Sequence, residues 1–299
     1  MNDENRFFGD LMTSRLPNML IIGAAKAGTT ALYRYLNEHP DIYMSAVKET
    51  NYFACDGDDT KAWTERSVNN KFKFRTLDEY RQLFSEAGEA SVVGEASPLY
   101  LESPTAASRI HALLPEVRLI ASLRDPADRA FSAYMMKVRH ARETWRVDKA
   151  FDPESHYVRV GFYYEKVKRY YDLFPSRQIK VVLFNDLRRA PLDVCKDLFG
   201  FLGVDEKFSP DMGQIHNVGA FPKNKLLNVV FAKAKNNEIL MRIMPDWLVS
   251  AGGRLRRKNL GAKLVMEPEL RARLVDLYRD DVARLQDLID RDLSSWLRV

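Results

Sequence analysis

The chain has 299 residues, of which 46% are hydrophobic and 29% are charged, with 14 glycines and 13 prolines. These fractions fit a globular protein and exclude a disordered, collagen-like or low-complexity chain. The formal net charge of +5 is small for this length. The charge therefore favours anionic ligands mildly and does not indicate a nucleic-acid-binding protein.

Neither the apolar runs nor the cysteines indicate a membrane or secreted protein. No run approaches the ~20 apolar residues that would span a bilayer. Asp3, Glu4 and Asp10 precede the first apolar run, which is unlike a signal peptide. The two cysteines, Cys55 and Cys195, give neither a disulfide framework nor a metal-ligand spacing. We therefore expect a cytoplasmic protein with reduced thiols and no metal site.

Short apolar runs alternate with helical patterns along the first two thirds of the chain. The predicted strands are 18–23, 91–95, 117–123 and 179–184, with a short extended segment at 42–44. The predicted helices are 29–38, 103–114, 126–136, 163–174 and 191–202. This alternation predicts an α/β fold, in which a central parallel sheet is flanked by helices on both faces.

The strand signals end after Gly203. Residues 204–220 are predicted to be loop, and residues 221–299 to be mainly helical, with a break at Gly252-Gly253 and a last helix over 268–293. We predict one domain over residues 1–299, with an α/β core over about 18–203 and a mainly helical part over 204–299.

Residues 23–30 form a glycine-bounded loop between the first predicted strand and helix. Backbone N–H groups and a helix N-terminus bind phosphate at such a position. The glycines match the nucleoside-triphosphatase loop, but Thr29 occupies its lysine position and Lys26 lies inside the loop. Arg124 follows the third strand, where a metal-binding acid would be expected. The pattern predicts a P-loop-type three-layer sandwich with a metal-independent anion site. The alternative is an ordinary glycine turn.

A second anion-binding pattern begins at Arg124. The sequence Arg124-Asp-Pro126 ends a strand and begins a helix, and Ser132 lies about two helical turns further on. An arginine fork and a hydroxyl could together bind a phosphate, although the same residues also fit a capped helix start. With the loop, they predict a ligand nucleotide phosphorylated at two separate places.

Several short motifs follow one another in order along the chain. They are 21–30, His39-Pro40, Lys48-Glu49 with Tyr52-Phe53, Gly94-Glu95 with Ser97-Pro98 and Tyr100, and 123–126 through Arg129, Ser132 and Tyr134. Over about residues 18–225 they resemble sulfotransferases that use 3′-phosphoadenosine-5′-phosphosulfate (PAPS), most closely the bacterial and heparan-sulfate-type branch. The resemblance implies in-line sulfuryl transfer from PAPS to an acceptor, with release of adenosine 3′,5′-bisphosphate.

The resemblance also implies roles for individual residues. The implied donor-binding residues are Lys26, Ala27, Gly28, Thr29 and Thr30 at the 5′-phosphosulfate, Arg124 and Ser132 at the 3′-phosphate, and Pro222 and Lys223 in a late loop that covers the nucleotide. Glu49 matches a general base for the acceptor proton, and Lys26 a catalytic cation at the leaving phosphate oxygen. The alternative for Glu49 is a solvated loop carboxylate beside Lys48.

Two features depart from the family pattern. Ala96 stands where several relatives have a lysine, so a second catalytic cation is missing or supplied elsewhere, for example by Lys48. Another branch of the family uses a histidine base, but no motif supports that role in this chain. We interpret all five histidines as structural: His39, His111, His140, His156 and His216.

Two other functions fit part of the pattern. A kinase-like phosphoryl transferase could use the same loop, and a non-enzymatic nucleotide- or nucleic-acid-binding module could use a basic cluster at Arg254, Arg256, Arg257 and Lys258, which we interpret as a solvated loop. For the preferred enzyme we expect a glycan, lipid or small-molecule acceptor with a hydroxyl or an amine. We expect no nucleic-acid partner, and weak association with a membrane surface is allowed.

Overall fold

The computed structural model describes residues 15–54, 72–139, 147–213 and 265–299, together with two short strands at 221–222 and 260–261. The strands are β1 (Met19–Gly23), β2 (Ile42–Met44), β3 (Val92–Ala96), β4 (Arg118–Leu123), β5 (Ile179–Leu183), β6 (Phe221–Pro222) and β7 (Leu260–Gly261). The α-helices are α1 (Thr29–Asn37), α2 (Leu77–Gln82), α3 (Leu99–Glu102), α4 (Ala106–Leu113), α5 (Pro126–Arg139), α6 (Val147–Ala150), α7 (His156–Arg159), α8 (Tyr164–Tyr171), α9 (Phe184–Arg189), α10 (Pro191–Leu202) and α11 (Pro268–Ile289).

The first five strands form one sheet in the order β2-β3-β1-β4-β5, and every neighbouring pair is parallel. β1 lies at the centre, with Leu20 opposite Glu95 of β3 and Leu119 of β4. The short segment predicted only as extended is β2, an edge strand of this sheet. The predicted α/β fold with a central parallel sheet is therefore confirmed.

Both faces of the sheet are covered. On one face, Met19 and Ile21 of β1 belong to a buried cluster with Leu32 of α1 and Leu198 of α10. Leu20 and Ile22 are also buried, and adjacent side chains of a strand point to opposite faces, so the second face is covered as well. The arrangement is a three-layer sandwich, as predicted.

The element boundaries follow local signals where the sequence supplies them. The helix over 191–202 is found as predicted, because Pro191 begins it and Gly203 ends it in the left-handed conformation (φ 71°). The strand predicted to end at Phe184 ends at Leu183, and Phe184 begins α9. Helix α2 was not predicted, although Thr76 and Glu79 form a capping box at its start.

The described chain divides into two compact units. The first comprises Met1–Asp125, Tyr163–Ile215 and Ala283–Asp292 and contains the five-stranded sheet; the second comprises Pro126–Phe162, His216–Val282 and Leu293–Val299. Within the second unit, the buried Arg129 donates to the Tyr157 carbonyl, and the Tyr278 hydroxyl donates to the Val158 carbonyl at 2.8 Å. The single domain over 1–299 stays a prediction.

Much of the predicted helical C-terminal part, including residues 223–259, lies outside the described residues. Its described portion contains α11, which ends at Ile289, four residues before the predicted end. Among the helices that the structure describes, none has the length and apolar character needed to cross a membrane.

Candidate active site

The loop over residues 24–28 connects the central strand β1 to α1 and is tied to the neighbouring strand β4. The Ala24 N–H donates to the Ser122 carbonyl at 2.6 Å, and the Ser122 hydroxyl donates to the Ala27 carbonyl at 2.5 Å. Lys26 has a φ of 73°, in the left-handed region. From β1 the chain continues to β2 on one side of the sheet, and from β4 it continues to β5 on the other side. The loop after β1 therefore lies at the topological switch point, where open α/β sheets bind ligands.

Gly28 is the N-cap of α1 and leaves the helix N-terminus without a side-chain cap. The N–H groups of Ala31 and Leu32 donate the first hydrogen bonds of the helix, both to the Gly28 carbonyl. The N–H groups of Thr29 and Thr30 come before these bonds and have no acceptor within the helix. Such a terminus favours an anion. Thr29 is buried and Thr30 is exposed.

Gly28 is required by its conformation and by its neighbours. Its φ is 91°, and an added Cβ would lie 2.8 Å from Cδ2 of Leu187 and 3.0 Å from the ring of Phe184. Both neighbours belong to α9, which follows β5. Helix α9 therefore packs closely against Gly28, at the turn that leads from the loop into α1.

Arg124 follows β4 and lies directly beside this loop. Its Nη1 donates to the Lys26 carbonyl at 3.3 Å, and its guanidinium carbon lies 4.8 Å from the centroid of the Phe184 ring. The structure therefore brings Arg124 to the backbone of Lys26. The family resemblance implies that these two residues bind the 3′-phosphate and the 5′-phosphosulfate of one nucleotide.

Glu49 lies in the loop after β2, at the carboxyl edge of the same sheet. Its N–H donates to the carbonyl of Ala96, the last residue of β3, at 2.9 Å. Its side chain is 58% exposed, and one carboxylate oxygen lies 3.2 Å from the Lys48 ammonium. The carboxylate is thus accessible to a substrate and has a cation beside it, whereas Ala96 is buried.

A buried polar network next to Glu49 was missed at the sequence level. Glu95 of β3 is fully buried and accepts hydrogen bonds from the hydroxyls of Tyr100 at 2.5 Å, Ser97 at 2.7 Å and Tyr80 at 3.2 Å. The available signal was a glutamate inside a buried strand, because a charge there requires partners. The partners themselves come from α2, α3 and the turn after β3.

Desolvation dominates the titration of this network. Burial raises the pKa of the Glu95 carboxyl, while hydrogen bonds from Tyr100, Ser97, Thr50 and Tyr80 oppose the rise. Burial and the Glu95 charge raise the pKa values of the Tyr80 and Tyr100 hydroxyls well above their ordinary range. Both phenols therefore stay protonated and act as donors to the carboxyl.

The remaining predicted donor residues lie elsewhere in the chain. Ser132 is half-buried in α5, in the second unit. Pro222 is described only as part of strand β6, which pairs antiparallel with β7. Lys223 lies outside the described residues.

His39 has the contacts of a structural histidine. It is buried, its Nδ1 accepts the Asp41 N–H at 3.1 Å, and its Nε2 lies 3.1 Å from the Asp205 carbonyl. Both ring nitrogens are therefore engaged by backbone groups, as in a structural histidine. His111 and His156 are exposed, and His140 and His216 lie outside the described residues.

Comparison with known proteins identifies the family. The model of the sulfotransferase family matches residues 17–209, more than half of the chain. The chain belongs to the sulfotransferase family. This membership confirms the resemblance drawn from the motifs, and the predicted reaction class, sulfuryl transfer, is the one for which the family is named.

Individual relatives agree with this assignment. The crystal structure of a sulfotransferase from Alicyclobacillus acidocaldarius is 34% identical, covers 95% of this chain and 100% of its own, and has a TM-score of 0.73. Bifunctional heparan sulfate N-deacetylase/N-sulfotransferase 1 from Xenopus laevis is 28% identical over 305 residues, 95% of this chain and 31% of its own length. Membrane-associated sulfotransferase kil1 from Dictyostelium discoideum is 32% identical over 127 residues, 42% of this chain and 24% of its own length. The chain spans less than a third of the length of these two curated relatives.

Proposed function

We propose that the chain transfers a sulfuryl group from PAPS to a hydroxyl or an amine of an acceptor and releases adenosine 3′,5′-bisphosphate. The observation that carries this proposal is the contact of Arg124 with the Lys26 carbonyl. It joins the arginine after β4 to the glycine-bounded loop after β1, as expected for a donor whose 5′-phosphosulfate and 3′-phosphate are carried by one ribose.

The donor site is assigned residue by residue. The 5′-phosphosulfate lies at the N-terminus of α1, held by Lys26, the N–H groups of the loop from Ala27 to Thr30 and the hydroxyl of Thr29. Arg124 holds the 3′-phosphate, and Ser132, Pro222 and Lys223 stay predictions for the same nucleotide. Binding energy at the 3′-phosphate then fixes the reacting end in place.

Sulfuryl transfer moves one proton and exchanges one bond to sulfur. The acceptor oxygen or nitrogen attacks sulfur, and Glu49 takes the proton that the acceptor loses. The bond from sulfur to the bridging phosphate oxygen breaks in line with the attack. The negative charge that develops on this oxygen is stabilised by the Lys26 ammonium and the N–H groups of the loop.

Turnover in EDTA tests the reaction class. The assay follows transfer of labelled sulfate from PAPS to acceptors in an extract of the cells that produce the protein, and the labelled product identifies the acceptor for later assays. Transfer is expected to persist in EDTA, because the cations of the proposed site are Lys26 and Arg124. Transfer that stops in EDTA and resumes with Mg²⁺ contradicts the metal-independent mechanism, and an absence of labelled product with and without Mg²⁺ contradicts the reaction class.

The variant Arg124→Met tests the assignment of the 3′-phosphate. The affinity for adenosine 3′,5′-bisphosphate is expected to fall about 10–100-fold, the value of a hydrogen bond to a charged group. The affinity for adenosine 5′-phosphate, which lacks the 3′-phosphate, is expected to change little. Both are measured by calorimetry. Equal losses for the two ligands would contradict the assignment.

Arg188→Met is the matched control for this variant. The guanidinium carbon of Arg188 lies 6.0 Å from the centroid of the same Phe184 ring that Arg124 contacts. Removing Arg188 therefore changes the charge near this ring without removing the proposed phosphate ligand. Its affinity for the bisphosphate is expected to match that of the wild type.

The acceptor class follows from the proposed chemistry and from the relatives. The name of the Xenopus relative includes N-sulfotransferase, so amines are tested beside hydroxyls, on glycan, lipid and small-molecule acceptors. The cytoplasmic location stays a prediction from the sequence.

A further inference from the structure

Glu95 determines which groups donate and which accept in the buried hydrogen-bond network around it. The hydroxyls of Tyr80, Ser97 and Tyr100 donate to its two oxygens. These hydrogen bonds favour the ionised carboxylate against the effect of burial, and that form can accept all three. Each hydroxyl that donates to Glu95 keeps its own oxygen as an acceptor for a further group. The carboxylate therefore determines which way the next hydrogen bonds run.

Those next hydrogen bonds reach the residues that follow Glu49. The Ser97 oxygen accepts the Asn51 N–H at 3.0 Å. The Tyr100 oxygen lies 3.1 Å from the Thr50 hydroxyl, and it can accept the Thr50 proton when the phenol proton is given to Glu95. Thr50 and Asn51 are both buried, so these bonds are shielded from water.

The backbone of the segment over residues 49–51, which these bonds hold, has unusual dihedral angles. Glu49 has a φ of 62° and Asn51 a φ of 55°, a region that non-glycine residues occupy only when their surroundings impose it. The Asn51 side chain donates to the Glu49 carbonyl at 3.0 Å, and the Glu49 N–H is held by the Ala96 carbonyl. The Glu49 side chain itself is largely exposed and bonded to Lys48. The backbone therefore sets the direction of its Cα–Cβ bond, from which the carboxylate extends to Lys48.

We propose that Glu95 is a positioning residue for sulfuryl transfer: through Ser97 and Tyr100 it holds Thr50 and Asn51, and thereby aims the exposed carboxylate of Glu49. This inference rests on the proposed role of Glu49 as the base. Glu95 itself is fully buried, so we assign it no direct contact with a substrate. Misplacing a reacting group by about 1 Å can lower the rate about 100-fold. Loss of the hydrogen bonds that hold the Glu49 segment is therefore expected to lower kcat.

The variant Glu95→Gln keeps the shape of the side chain and replaces one of its two acceptor oxygens by an NH₂ donor. The new amide NH₂ donates where the carboxylate accepted, so either Ser97 or Tyr100 loses an acceptor for its proton. We expect kcat to fall about 10–100-fold, with the KM for PAPS and the calorimetric affinity for adenosine 3′,5′-bisphosphate unchanged. A wild-type kcat overturns the inference and leaves the proposed function intact.

Tyr80→Phe is the matched control within the same network. It removes one hydroxyl from Glu95 but keeps the ring, which stacks on Tyr52 at 4.3 Å between centroids. The Tyr80 hydroxyl donates to the same Glu95 oxygen as the Tyr100 hydroxyl, but among the described residues no hydrogen bond joins it directly to Thr50 or Asn51. We expect kcat to change less than about threefold. A loss equal to that of Glu95→Gln would show that any weakening of the network lowers the rate, which contradicts the positioning role.

A double-mutant cycle separates positioning from a general loss of structure. Ser97→Ala removes the bridge from Glu95 to the Asn51 N–H and also serves if Glu95→Gln does not fold. If Ser97 acts through Glu49, its effect on kcat disappears in the Glu49→Gln background. Additive effects would refute the inference. A wild-type rate for Glu49→Gln alone would refute both the base assignment and the inference built on it.

Discussion

Replacing Glu49 by glutamine is expected to lower kcat for sulfuryl transfer by about 10²–10⁴-fold, the usual contribution of a positioned general base. Glutamine keeps the size of the side chain and imposes the same cost at the positive φ of this position. The change therefore removes the proton acceptor and little else. Initial rates with labelled PAPS and the identified acceptor measure the effect.

The affinity for adenosine 3′,5′-bisphosphate is expected to be unchanged in Glu49→Gln, because the carboxylate is assigned to the acceptor side. Glu116→Gln is the matched control. Glu116 is exposed and precedes β4, at the amino edge of the sheet, opposite to the candidate site. A Glu49→Gln enzyme as fast as the Glu116→Gln enzyme would remove Glu49 from the mechanism.

Removing the ammonium of Lys26 is expected to lower kcat by about 10²–10³-fold, the loss seen when one preorganised donor to a developing negative charge is deleted. Lys26→Ala and Lys26→Met both delete the charge, and both keep a side chain at the positive φ of this position. Lys26→Met in addition keeps much of the length of the side chain. The two variants should therefore lose similar amounts of activity, as measured by initial rates at saturating PAPS.

Lys196→Met controls for the loss of one positive charge. Lys196 is exposed on α10, and its variant is expected to keep the wild-type rate. A Lys26→Met enzyme with near-normal turnover would show that the charge on the leaving oxygen is stabilised without Lys26. A large loss in Lys26→Ala alone would assign the effect to the shape of the loop.

The adjacency of the loop and Arg124 could be predicted because its signals are local in sequence. The glycines around Lys26, the helix after them and the arginine after the third strand each follow from a few neighbouring residues. Their meeting also follows from general rules, since the carboxyl ends of parallel strands share one edge of a sheet. The structure adds the 3.3 Å contact between Arg124 and the loop, and the Phe184 ring beneath the arginine.

The acceptor end could not be derived in the same way. Thr50 and Tyr100 are separated by 50 residues, and Tyr80 reaches Glu95 from a helix that was not predicted. Their hydroxyls meet only because β2 lies beside β3, and a three-residue edge strand carries little periodic signal. The direction of the hydrogen bonds, on which our inference depends, requires the positions of individual oxygens.

The strand order has a consequence for the newly synthesised chain. Lys26 and Arg124 are 98 residues apart in sequence, and β1 acquires its neighbour β4 only after β2 and β3 have been made. Contacts of this length form slowly because a long loop must first be closed. The proposed nucleotide pocket is therefore incomplete in the nascent polypeptide until Arg124 has left the ribosome. A nucleotide bound in this pocket would stabilise the finished sheet and could not guide the first steps of folding.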